Sequence, residues 1–253
     1  MRKYSIIVYI LLLIMILVYV LYLNPPIMEG FYFSSDKIDR INKINHSVYG
    51  DIYVFDDNDH ITAAIGKDKI WEDPLCKVIA EYYVEGTDML DIGANLGLNS
   101  IRAHQIKPIT GTVHLFEPQS DVFTMMSYNT RDLPKKLYNL VVSNANSVFT
   151  FEQNSGNVGA TTMTTKPDGI RVASIQLDDI VFDKPISVVK MDVEGGEYEA
   201  LEGAKKTFAK YKPTLIIELW PANYNRTAAL LNTMGYTQKQ ALGGDDYLFV
   251  PNS

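Results

Sequence analysis

The chain has 253 residues, a net charge of −7, four histidines and one cysteine. The acidic balance, with a pI near 5.1, argues against a nucleic-acid binder; a lone Cys76 excludes an internal disulfide, and with only four scattered histidines beside it the sequence shows no zinc-type cluster. Without the N-terminal segment about 210 residues remain, enough for one sizeable α/β domain.

Ile6 to Leu23 is an uncharged apolar run of eighteen residues. At ~1.5 Å per residue it approaches the ~30 Å hydrocarbon core, so a transmembrane helix is expected over residues 5–23. Tyr4 and Tyr22 fall near its ends, where amphipathic rings favour the interface. A cleaved signal peptide is the alternative, but the run exceeds the usual ~7–15 residues, and Asn24-Pro25-Pro26 follows instead of a small-residue cleavage site. Arg2 and Lys3 favour a cytosolic N-terminus with the rest of the chain on the non-cytosolic side. Asn45-His46-Ser47 and Asn225-Arg226-Thr227 fit the glycosylation acceptor pattern. Residues 24–47 read as a juxtamembrane spacer and residues 48–253 as the folded domain. Within it, Ser47–Phe55 and His60–Ile65 alternate like short strands, and Trp71–Tyr83 spaces its apolar residues like a helix.

Thr87 to Ser100, TDMLDIGANLGLNS, joins an apolar strand to a helix through a turn holding Gly93 and Gly97. Glycine permits the tight turn, Ala94 and Gly97 keep the backbone uncrowded, and a helix N-terminus aims its amides at the site. It reads as a nucleotide-cofactor loop. The dinucleotide fingerprint would need glycines at 93, 95 and 98, but Asn95 and Leu98 occupy the last two. Asp91 suits another ligand, S-adenosylmethionine, because a carboxylate there can meet the ammonium of the methionine part. An ordinary glycine-bearing turn is the alternative.

The next strand, TVHLFEP, ends in Glu117 and Pro118, with Glu117 twenty-four residues after Gly93. An acid at a spacing of ~20 residues on the following strand bonds a ribose diol. Ser120–Asp132 is expected as helix, Tyr138–Val142 as a third strand, and Val148–Phe151 and Arg171–Leu177 as strands flanking an excursion with Gly156 and Gly159. SVVKM at 187–191 reads as a buried strand opening into Asp192-Val193-Glu194-Gly195-Gly196-Glu197, then a helix through about Tyr211. Pro213–Ile217 is a strand ending in Glu218, which in a parallel sheet emerges at the same edge as Asp192. Ala222–Met234 is a helix, and strands around Lys239 and at Tyr247–Val250 make a C-terminal hairpin.

Acids clustered at one strand edge can raise one pKa toward working pH, which suits proton transfer. Asp192 is the candidate base, supported by Glu218 and Glu194; alternatively Asp192 and Glu218 hold a divalent cation that binds the alkoxide. For Glu197 a structural role at the helix N-terminus is preferred.

The order of these elements, with DIGANLG at 91–97, FEP at 116–118, SIQLDDI at 174–180, KMDVEGGEYEALEGA at 190–204 and LIIELW at 215–220, resembles the FkbM family of S-adenosylmethionine-dependent methyltransferases. The likeness covers about residues 60–250 and leaves the apolar run outside. It implies a class I methyltransferase fold, a Rossmann-like and mostly parallel sheet with a C-terminal antiparallel hairpin. It also implies O-methylation of a hydroxyl-bearing acceptor, commonly a carbohydrate or a complex small molecule. A membrane-tethered scaffold without turnover is the competing reading.

Overall fold

The computed structural model describes residues 40–56, 59–153, 161–163 and 170–252. The apolar run at 6–23 lies outside them. Among the described residues no helix is long and apolar enough to cross a membrane.

The chain begins with a hairpin, β1 (Ile41–His46) and β2 (Gly50–Phe55), paired antiparallel from Ile41↔Phe55 to His46↔Gly50. The stretch expected to be spacer through residue 47 therefore contains β1. Next comes α1 (His60–Ile65), where alternation suggested a strand. Capping decides it: Asp59 accepts from the backbone N of Thr62 at 3.0 Å, and Gly66 closes the turn at φ 51.

Alternating β and α elements follow: α2 (Asp73–Tyr82), β3 (Asp88–Ile92), α3 (Leu98–Ile106), β4 (Val113–Phe116), α4 (Ser120–Asn129) and β5 (Lys135–Tyr138). The third strand thus lies earlier than the expected Tyr138–Val142. Val141 and Val142 form a separate strand, β6, which joins β7 (Val148–Gln153), β8 (Thr161–Met163) and β9 (Ile170–Ile175) in a four-stranded sheet ordered β6-β9-β7-β8. The chain then returns through β10 (Ile186–Met191), α5 (Glu197–Glu202), α6 (Lys205–Tyr211), β11 (Thr214–Glu218), α7 (Pro221–Thr233), β12 (Tyr236–Gly243) and β13 (Asp246–Pro251).

The main sheet has seven strands in the order β12-β13-β11-β10-β3-β4-β5. Its five strands from β11 to β5 are parallel, and β13 and β12 add the antiparallel hairpin. The side chains of central β3 are buried throughout, as both faces are covered. Alternation sends Leu90 and Ile92 to one face, against Leu201, Phe208 and Leu231. Met89 faces the other way, against Ile79, Ala103 and Met126. Strand order reverses between β3 and β10, and in open α/β sheets ligands bind at such a switch point, outside the carboxyl ends of the strands.

Candidate active site

The two strands flanking the switch point meet so closely that glycine is required. A Cβ built on Gly93, at φ +78, would lie 1.7 Å from the Asp192 carbonyl oxygen. Gly97, at φ +79, would drive a Cβ to 2.4 Å from Thr130 Cγ2. Their small size therefore answers first to protein packing, not to an approaching ligand. The Gly93 and Ala94 amides both donate to the Phe116 carbonyl, at 3.0 and 2.9 Å, tying the loop to the end of β4.

Two cavities open at this edge. The first, of about 430 Å³, is walled by Phe116, Pro118, Leu140, Val142 and Phe149 and floored by Gly93 and Glu117. The second, of about 270 Å³, lies against Glu72, Ala94, Asn99, Lys190 and Glu218. Asn95, Asp192 and Glu194 line both. Of the residues expected to bind a cofactor, Gly93, Asn95, Glu117 and Pro118 meet at the first cavity, whereas Ala94 lines the second. Gly97 lines neither.

Glu117 is held from two sides. Its Oε1 accepts from the Gln119 amide at 2.8 Å and its Oε2 from the Asn95 amide at 3.1 Å. An ionised carboxylate has about four acceptor positions, so two remain for hydroxyl donors. Burial pushes its pKa up to about 7, against the lowering effect of the two amides. The apolar walls beside such a carboxylate fit a nucleoside.

Asp91 does not reach either cavity. It is fully buried, accepts from Ser100 Oγ at 2.6 Å, and its Oδ1 has no hydrogen-bond partner among the described residues. The strand's alternation turns it down toward Lys190, whose Nζ lies 4.0 Å away. Lys190 also donates to Asp192 Oδ2 and to the Gly93 carbonyl, both at 3.1 Å. Burial alone would lower the lysine pKa; the attraction of Asp192 and Asp91 outweighs it and holds the ammonium above its ordinary range. Lys190 stands in the quoted KMDVEG stretch but was not singled out there, since a lysine within an apolar strand gives no sign of which acids it faces.

The expected cluster does assemble: Asp192, Glu194 and Glu218 all line the second cavity. Glu218 is raised by burial and then by Asp192, to which it hydrogen-bonds, and its Oε2 accepts from Trp220 Nε1 at 3.1 Å. Glu194 rises to about 6, again through burial and then Asp192. Burial and its acidic neighbours thus favour a proton on Glu218, while Asp192 is the acid of this cluster that contacts the Lys190 ammonium. The alternative of a divalent cation on Asp192 and Glu218 is not supported by this donor set. The Lys190 ammonium already occupies Asp192 Oδ2, and among the described residues no three His, Cys, Asp or Glu side chains form a metal-holding group. Glu197 has the structural role: its Oε1 accepts from the Val193 and Gly195 amides, at 3.2 and 3.0 Å, and shapes the loop before α5.

Removing the ammonium strands two acids in the sheet edge. Lys190→Met should lower unfolding free energy by roughly 3–5 kcal/mol, as expected for breaking a buried pair, read from the urea midpoint. Adding Asp91→Asn should restore part of that loss; an unchanged midpoint in the single variant would refute the role.

A family model described as methyltransferase FkbM domain matches residues 91–240. Over 138 residues the chain is 27% identical to the hexuronic acid methyltransferase AglP of Haloferax volcanii, covering 52% of this chain and 56% of that protein. It thus spans little more than half of that curated relative. Among solved structures, methyltransferase FkbM from Methylobacillus flagellatus KT is 20% identical over 66% of this chain and 44% of its own, with a TM-score of 0.46. The tRNA (uracil-54, C5)-methyltransferase of Pyrococcus abyssi, in complex with S-adenosyl-L-homocysteine, is 13% identical over 83% of this chain and 44% of its own, with a TM-score of 0.42. With the family's model matching more than half of its length, the chain belongs to the FkbM-domain methyltransferases.

Proposed function

We propose that the chain uses S-adenosylmethionine to methylate a hydroxyl group of a carbohydrate, with Asp192 as the general base. One observation carries this reading: Asp192, pinned by Lys190, stands where the nucleoside-fitting cavity and the acid-lined cavity share a wall. Gly93, Asn95, Glu117 and Pro118 would hold the nucleoside, Glu117 accepting from the ribose hydroxyls. Bound there, the donor supplies a methyl group on positively charged sulfur. A neutral alcohol is a weak nucleophile, so Asp192 takes or shares its proton as the oxygen gains the methyl group. Glu218, holding its own proton against Asp192, orients the base, and Glu194 closes the wall between the cavities. A cluster of hydrogen-bond acceptors suits a ligand rich in hydroxyls, and the named activity of the Haloferax relative supports a sugar.

Anchoring to a membrane is part of the proposal, supported by the uncharged run from Ile6 to Leu23. Arg2 and Lys3 favour a cytosolic N-terminus and a non-cytosolic catalytic domain. Protease added to the cytosolic face of sealed vesicles should leave the domain intact; digestion would reverse the orientation.

Asp192→Asn preserves shape and removes the proton acceptor. Turnover should fall ~10²–10⁴-fold while donor affinity, measured by calorimetry, stays nearly unchanged. Full activity in the variant would rule Asp192 out as the base.

The position of Glu117 makes donor binding depend on pH. Ribose hydroxyls bond the ionised carboxylate more strongly than the protonated acid, and burial pushes the pKa of that group up to about 7. Affinity should therefore rise as pH increases from 6 toward 8 and level off above the pKa, by up to about tenfold per unit on the acid side. The sign for stability is opposite: a raised carboxylate pKa stabilises the fold at low pH and loses that contribution as pH passes about 7. Glu117→Gln should bind more weakly and flatten the affinity profile; a slope that survives in the variant would assign the titration elsewhere.

A further inference from the structure

Burial of Asp91 leaves the amino-acid end of the methyl donor without the carboxylate expected for it. We propose that Glu72 is that carboxylate and binds the α-ammonium of the donor's methionine tail, an assignment that rests on the methyl-donor reading of the first cavity. Glu72 lines the second cavity together with Ala94, Asn95, Leu98 and Asn99, the loop after β3 and the first turn of α3. Asn95 lines both cavities, so a ligand seated on Gly93 and Glu117 can reach past it into the second.

The carboxylate is held ready. Asn99 Nδ2 donates to Glu72 Oε2 at 2.8 Å, and the other oxygen has no donor among the described residues. Glu72 precedes α2 in left-handed backbone, at φ 45, and makes no side-chain cap for its helix. Left-handed backbone at a residue with a side chain persists where the surroundings hold it, and such positions collect at ligand sites. Among the described residues the non-glycine positions with positive φ are Glu72, Asn95, Glu194 and Lys212, and the first three all line this cavity. Two of the other acids there are engaged: Asp192 Oδ2 with Lys190, and Glu218 with Trp220 and Asp192. Glu194 stands on the wall shared with the nucleoside cavity. Glu72 is the acid on the loop side.

Calorimetry on the 253-residue chain in mild detergent tests this with two ligands. S-adenosylhomocysteine carries the amino-acid tail, and 5′-methylthioadenosine has the same nucleoside and thioether without it. Glu72→Gln keeps the volume and the Asn99 contact but removes the charge. It should weaken S-adenosylhomocysteine roughly ten- to hundred-fold, the effect of one charge-assisted bond, and leave 5′-methylthioadenosine unchanged. Asn99→Ala, which loosens the carboxylate, should produce a smaller loss for S-adenosylhomocysteine alone. Equal losses for both ligands, or no loss for S-adenosylhomocysteine in Glu72→Gln, overturn the assignment. A wild-type chain that binds neither compound overturns the methyl-donor reading and this proposal with it.

Discussion

The site depends on the contact between the ends of β3 and β10. Lys190, buried within β10, bridges the Gly93 carbonyl and the carboxylates of Asp91 and Asp192, so a single ammonium joins the glycine loop after β3 to the acid at the end of β10. The backbones meet there without any side chain between them, since Gly93 leaves no Cβ and the Asp192 amide donates to the Ile92 carbonyl at 2.9 Å. An uncompensated acid in this position would cost several kcal/mol, so the lysine and the acids are an interdependent set. The rest of the sheet supports it by burying β3 and β10 on both faces.

Much of this was legible in the sequence because buried parallel strands and acids at strand ends leave strong local signals. The DMLDI and SVVKM runs, the turn after Ile92 and the acids at 117, 192 and 218 announce themselves by type and spacing. His60–Ile65 shows where that fails. Six residues are too few to separate a period of 2 from one of 3.6, and the Asp59 cap carried the missing information. The third strand was displaced because Lys135 and Lys136 carry charge where a sheet strand is expected to be apolar, whereas they pair with Val113 and His114 at the edge of the sheet.

Side-chain direction was harder to read than secondary structure. Asp91 precedes the glycine turn at the spacing of a ligand-binding acid, yet alternation along β3 turns it toward Lys190 and Ser100. Nothing in the local pattern distinguishes an acid aimed at a ligand from one aimed at a lysine ninety-nine positions later. Glu72 was missed for the complementary reason. It lies just before a helix, where an acid reads as favouring the helix N-terminus, and its partner Asn99 belongs to a different element.

Strain at the second cavity completes the physical picture. Glu72, Asn95 and Glu194 each hold left-handed backbone, at φ 45, 50 and 55, a conformation costing on the order of 1–3 kcal/mol for a residue with a side chain. Glycine at any of the three would relieve the strain but remove a carboxylate or amide from the cavity wall. The strain persists because each residue is fastened to something rigid. Asn95 is fixed through its amide to Glu117, Glu72 through Asn99 to α3, and the loop around Glu194 through its neighbours' amides to Glu197. These fastenings lead back to the buried sheet, where the packing energy resides. The fold thus offsets local conformational cost at the carboxyl edge with apolar burial elsewhere, and polar groups converge there without having to be ordered by the ligand.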